Sequence, residues 1–261
     1  MSNCSNCLLH LLFFYVLLGE PYIAGWLYRT FIINLYFQPR ARIDYYFQKI
    51  SIHWILIGLI ATIGLTIHPG SAIVWIGSLN SKALGLLLAV LVAAVIGLLL
   101  LVYWDKLSRP FLAVTSLTPS ILPTNQSERM VYTFMAFSAG LGEELVYRGF
   151  LWFYLRVIFP VLPVWSLIVL STLLYTAGHY YQYRLSAKKN RAWWSGISML
   201  GLFGNLIMGL VYGLMVAFSG SLVPSIVLHS LYDMNAVLVK PVWGIPNYHR
   251  NQEPTRIGRL F

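Results

Sequence analysis

Charge is what this chain has least of. Of its 261 residues, 10% are Asp, Glu, Lys or Arg and 58% are hydrophobic, whereas soluble domains carry about 25% charged residues. That scarcity excludes an ordinary soluble domain and points to a polytopic membrane protein. Cysteine is nearly as scarce. Cys4 and Cys7 form a single C-x-x-C; without a second Cys or His pair it is half a metal site at most, and the thiols read as unpaired or as a minor redox feature. A secretory leader is not recognisable: the first cation is Arg29, and no A-x-A follows the apolar run Leu8–Leu18. Internal repeats and low-complexity linkers are also missing, so the chain reads as one integrated domain.

What is present instead is long charge-free stretches. None of the four charged residue types occurs between Lys82 and Asp105, between Arg156 and Arg184, or between Arg191 and Asp233. About 20 apolar residues cross the hydrocarbon layer. The first two runs therefore fit one crossing each and the third fits two, with Ser219–Ser221 (SGS) as the turn between them. The predicted spans are Ile52–Ile67, Ala83–Trp104, Met130–Tyr154, Leu162–His179, Ile197–Phe218 and Leu222–Val239. Before Arg40, the stretch from Leu8 through "GEP" to Phe37 reads as one kinked helix or as a re-entrant piece plus a helix. The expectation is an all-α bundle of about seven to eight transmembrane helices, because closed helices satisfy the backbone where lipid cannot. Leu117–Glu128 reads as a polar loop leading into the next helix.

The net charge of +10 could suggest nucleic acid, but its distribution argues for topology. Fourteen of the Lys and Arg side chains fall on one side of these spans: Arg40, Arg42 and Lys49; Lys106, Arg109 and Arg129; Arg184, Lys188, Lys189 and Arg191; and Lys240, Arg250, Arg256 and Arg259. Only Lys82 and Arg156 fall on the other. The basic side is therefore read as cytoplasmic, with the lipid bilayer as the partner and no role for nucleic acid. Tyr180–Arg191 is read as a cytoplasmic loop, and residues 240–261 as a basic cytoplasmic tail. An inner or plasma membrane fits this pattern, and nothing in the sequence bears on oligomeric state.

Against that background, the stretch GLGEELVYRGF (Gly140–Phe150) is unusual, with Glu143, Glu144 and Arg148 inside a predicted span. A charge at mid-helix costs about 2.5–3.5 kcal/mol on insertion scales, so these groups should turn toward the bundle interior. Glu144 and Arg148 are four apart and share a helix face. Glu143 is rotated by about 100° from Glu144 and is left available as a base. The spacing recurs in Tyr175/His179 (YTAGH) and His229/Asp233 (HSLYD). A carboxylate with two imidazoles can activate a water and polarise a carbonyl. Glu and two His also match a catalytic zinc shell, although H-E-x-x-H is absent. A simple packing ion pair accounts equally well for Glu144 with Arg148. His53 and His68 read as interfacial histidines without a catalytic part, and Gly209/Gly213 as a helix-packing face. Buried ion pairs are poor stabilisers, so stability alone does not explain six polar groups on three helices.

E-E-x-x-x-R, then an aromatic four residues before His, then H-x-x-x-D, in order on successive helices, resembles the signature of the CPBP family. That family comprises type II CAAX prenyl proteases and related bacteriocin-processing and immunity proteins. The resemblance covers roughly Ser127–Val239, so residues 127–239 are expected to form the protease core and residues 1–126 a set of helices without recognisable motifs. It implies an intramembrane endopeptidase with a conical cavity facing the cytoplasm, acting on membrane-associated peptides or proteins, either prenylated or carrying leader peptides. In that picture Glu143 activates the water with His179 assisting, His229 and position 233 stabilise the oxyanion, and Glu144, Arg148 and Tyr175 support the site. No cofactor is required; the alternative is zinc held by Glu143, His179, His229 and Asp233. A rival of another class is a catalytically silent immunity or scaffold protein. Two departures from the family pattern stand out. Tyr175 replaces Phe, and Asp233 stands where the prenyl proteases have Asn, so Asp233 must be protonated or serve as the partner of His229.

Overall fold

The computed structural model describes residues 10, 41–67, 77–103, 123, 125–189 and 196–243. Cys4, Cys7, His68, the segment before Arg40 other than residue 10, most of the Leu117–Glu128 loop and the tail beyond Trp243 lie outside them. Among the described residues the fold is all-helical: α1 (Ala41–Ile67), α2 (Ser81–Tyr103), α3 (Gln126–Glu144), a π-helical turn (Leu145–Phe150), α4 (Leu151–Ile158), α5 (Val164–Lys189), α6 (Gly196–Ser219) and α7 (Val223–Trp243). The six predicted spans each fall on one of these helices, with two differences.

The first difference lies in the third span, which is not a uniform helix. α3 opens at Asn125, whose side chain accepts from the Glu128 amide at 2.9 Å, an N-cap that satisfies one orphan donor. The helix then widens into the π-turn, in which all six residues are buried, before continuing as α4. Such turns admit one extra residue and often occur at functional sites. The second is a correction. The expected loop Tyr180–Arg191 is helical to Lys189, because nothing between His179 and Lys189 breaks a helix. The SGS turn is where the sequence put it: α6 ends at Ser219, Gly220 takes φ +67, and α7 begins at Val223.

α3 is central. Its buried positions Ala136, Ser138, Gly140, Gly142 and Glu144 alternate, a spacing that covers more than one helix face. Ser138 accepts from Trp54 Nε1 of α1 at 3.1 Å. A Cβ on Gly140 would lie 2.5 Å from Ser230 Oγ of α7. Gly140 thus lets α7 approach α3 closely, just before its two glutamates, while α1 is bonded to α3 at Ser138. α6 packs on α5 through Gly209 and Gly213, where a Cβ would come within 2.9 Å of Thr172 and 3.0 Å of Ile168. The G-x-x-x-G face is thus a packing surface. At one end of the bundle, Asn80 caps α2 through the Ala83 amide at 2.9 Å and donates to the Ser219 carbonyl at 2.8 Å.

Among the described residues one stretch, Gly201–Ser219, is long and apolar enough to cross a membrane, and Ser81–Gly97 is a shorter apolar helix. The expected count of seven to eight crossings does not emerge from length and composition.

Candidate active site

The residues singled out from the sequence come together where α3, α5 and α7 meet. Glu144 and Arg148 are fully buried, with Nη1 donating to Oε1 at 2.9 Å. Arg148 Nη2 donates to the Gly209 carbonyl of α6 at 3.0 Å. The guanidinium also lies 4.8 Å from the Tyr175 ring centroid and 5.4 Å from that of Tyr212. Arginine's planar fork suits this crowded, multiply bonded position.

Sequence spacing did not reveal that both glutamates address the same histidine. His229, 2% exposed, donates from Nδ1 to Glu144 Oε1 at 3.0 Å. Its Nε2 lies 3.5 Å from Glu143 Oε2. The tautomer is assigned from these partners: a carboxylate only accepts, so Nδ1 carries a proton. Two further oxygens approach Nε2, the Tyr175 hydroxyl at 3.5 Å and Asp233 Oδ2 at 3.8 Å. Tyr212 stacks on the imidazole, with centroids 4.7 Å apart and planes 12° from parallel. No sequence motif pointed to Tyr212; its place depends on packing between α6 and α7.

His179 closes the group from α5. Its Nδ1 donates to the Tyr175 carbonyl one turn back at 2.9 Å, leaving Nε2 as a lone pair 3.8 Å from Glu143 Oε2. The Tyr175 ring lies 4.5 Å from the His179 ring and fills the space a phenylalanine would. Exposure divides the site in two. Glu144, Arg148 and His229 are buried, whereas the side chains of Glu143, His179 and Asp233 are 20%, 18% and 32% exposed. A water with ordinary hydrogen bonds of about 2.8 Å spans the Glu143–His179 gap of 3.8 Å. Among the described residues, no group of three or more His, Cys, Asp or Glu side chains is placed to hold a metal ion.

One expectation is overturned. His53 is not interfacial: it is 3% exposed and packs against Gly142 of α3. Its neighbours Leu56 and Ile60, on the same face of α1, are buried with it, which could have been read as an inward stripe.

Fold and site thus define a helix bundle with a carboxylate–imidazole centre and a buried arginine behind it. Residues 125–235 match the profile of the family described as Type II CAAX prenyl endopeptidase Rce1-like, in agreement with the resemblance to the CPBP signature over that segment. No curated protein and no solved structure matches the chain. All seven residues singled out from the sequence, from Glu143 to Asp233, fall inside the matched segment.

Proposed function

We propose that the protein is a polytopic intramembrane endopeptidase that hydrolyses peptide bonds through a water activated by Glu143. The observation that carries this reading is the unequal treatment of two adjacent carboxylates. Glu144 is committed to Arg148 and His229 at 2.9 and 3.0 Å, while Glu143 is partly exposed beside the Nε2 atoms of His179 and His229. Glu143 takes a proton from the water as it attacks the carbonyl carbon and passes it to the leaving amine. His179 Nε2 accepts the water's second hydrogen bond and fixes its direction. His229, as imidazolium, has one N–H held by Glu144 and the other turned toward the carbonyl oxygen, where negative charge develops. Asp233 cannot donate to an oxyanion while ionised; at 3.8 Å from His229 Nε2 it serves as a partner to that imidazolium.

The substrate reading follows the family: a membrane-associated peptide or protein, prenylated or carrying a leader peptide. Polytopic insertion is supported by the inverted distribution of side chains. Phe203, Ile207, Leu210, Leu214 and Phe218 form an outward stripe on α6, whereas Glu144, Arg148 and His229 lie inside.

The test is cleavage of a peptide library by the purified protein and by Glu143→Gln at matched folding. Removing a general base lowers the rate by about 10²–10⁴-fold. Equal cleavage by both proteins would remove Glu143 from the chemistry. Loss of wild-type activity to a chelator, restored by zinc, would assign the same residues to a metalloprotease. No cleavage of either prenylated or unmodified peptides would favour a silent immunity or scaffold protein.

A further inference from the structure

His53 has no part in the chemistry above, yet it is placed as though it had one. Only 3% of it is exposed, and neither ring nitrogen has a hydrogen-bond partner. A buried neutral imidazole always presents one donor and one acceptor, and leaving both unmatched is costly. Native buried polar groups are matched by protein or by ordered water. The side chain packs against α3 at Gly142, where a Cβ would sit 3.4 Å from His53 Cβ and Cδ2. Gly142 immediately precedes Glu143, and a Cβ there would make ordinary van der Waals contact with the His53 side chain. Glu143 Oε2 is itself buried without a hydrogen bond.

His53 and Glu143 line one small cavity of about 10 Å³, closed by Leu56, Gly142, Val146 and Tyr147. That is the space of a single water, and a buried water needs at least two polar partners. His53, Glu143 and Tyr147 are the polar side chains of this wall, and of their polar atoms both His53 nitrogens and Glu143 Oε2 are buried without a hydrogen bond. We propose that His53 is a positioning residue for Glu143, tied to its carboxylate through one water held in this cavity. The inference rests on Glu143 being the base. The family match begins at residue 125 and assigns nothing to His53. A glutamate side chain has three rotatable bonds. His179 and His229 approach it from α5 and α7, and a tether from α1 holds it from a third direction. The carboxylate then stays aimed at the water it must deprotonate, where a misplacement of about 1 Å costs about 100-fold.

The experiment uses the full chain in detergent, with His53→Leu, His53→Gln, Glu143→Gln and the two double variants, each read for cleavage rate and for thermal unfolding. His53→Leu is expected to change the unfolding temperature little, because an apolar side chain that fills the site offsets the lost bond to the water. It is expected to lower kcat by about 10–100-fold with little change in KM. His53→Gln, which can still bond the water, is expected to recover most of that loss. Wild-type kcat in His53→Leu, a loss that simply follows lost stability, or no recovery with Gln would each overturn the proposal. The thermal shifts of His53 and Glu143 variants are expected not to add in the doubles, since both bond one water. Should the protein cleave no peptide, the enzymatic reading falls, and this cycle alone decides: non-additive shifts retain the His53–water–Glu143 link and additive shifts reject it. If His53→Leu does not fold, the cycle built on His53→Ala, which likewise cannot bond the water, gives the same decision.

Discussion

Glu143 and Glu144 are neighbours in sequence with opposite surroundings. Glu144 shares Oε1 between Arg148 at 2.9 Å and His229 at 3.0 Å, with none of its side chain exposed. Removing Arg148 leaves that carboxylate buried with one partner fewer. Breaking a buried pair from one side costs about 3–5 kcal/mol, so Arg148→Ala is expected to lower the unfolding temperature sharply and to reduce the yield of folded protein. Glu143→Gln, at a partly exposed position, is expected to unfold near the wild-type temperature while losing cleavage. Thermal unfolding of both variants in one detergent checks the contrast, and a stable Arg148→Ala would contradict the structural part given to the pair. The i,i+4 pairs on each helix were legible in the sequence because helical spacing fixes which side chains share a face. That Glu143 and Glu144 flank one imidazole was not, because a contact between α3 and α7 has no sequence spacing to report it. Tyr212 escaped for the same reason, whereas His53 lay on a stripe with Leu56 and Ile60 whose spacing was legible.

At the level of helices, the site depends on how closely α1, α5, α6 and α7 approach one another around α3. Gly140 sets the α3–α7 distance: a side chain there meets Ser230 Oγ at 2.5 Å and the Ser230 amide nitrogen at 2.8 Å. Backbone cannot step aside as a flexible side chain does, so Gly140→Val is expected to push α7 outward. Overpacking of this kind costs about 1–3 kcal/mol. The variant should unfold at lower temperature and also lose cleavage beyond its loss of stability, because His229 moves away from Glu143 and Glu144. Gly85 of α2 is the control. Nothing lies within 4 Å of a Cβ there, and Gly85→Ala is expected to hold or gain stability, by up to about 1 kcal/mol from helix propensity. Equal behaviour of the two variants would remove Gly140 from the positioning of the site. The helices themselves were legible from charge-free runs and from the SGS turn. The π-turn was not, because Leu145–Phe150 contains ordinary helix formers and its widening is decided by burial on every side. The extension of α5 to Lys189 was missed because hydropathy reports where lipid ends, which is not where a helix ends.

Among the described residues many large apolar side chains face outward while Glu144, Arg148 and His229 lie inside, and the orientation is read from where the cations lie. Arg42, in the first turn of α1, pairs with Glu128, in the first turn of α3, at 3.2 Å, so these two helices start at the same end. Lys82, in the first turn of α2, lies 5.5 Å over the ring of Phe218, in the last turn of α6, so α2 begins where α6 finishes. Fourteen cations against two then favour a cytoplasmic position for the Arg42 end and the opposite face for Lys82. α5 carries His179 and continues nine residues to position 188, about 13 Å farther along the helix at 1.5 Å per residue. Position 188 therefore reports the side on which α5 ends, beyond His179. In a chain with Cys4 and Cys7 replaced, Lys188→Cys is expected to react with a membrane-impermeant maleimide only in inside-out vesicles, and Lys82→Cys only in right-side-out ones. Positive-inside orientation rests on many charges acting together, so the labelling should be nearly all-or-none at each position. Reaction of position 188 from the outside alone would invert the molecule, put the site on the wrong face for a cytoplasmic substrate, and leave the cation distribution without an explanation. Reaction of both positions from the same side would break the crossing pattern of α2 and α5 instead, and would show that one of the two helices does not span the bilayer.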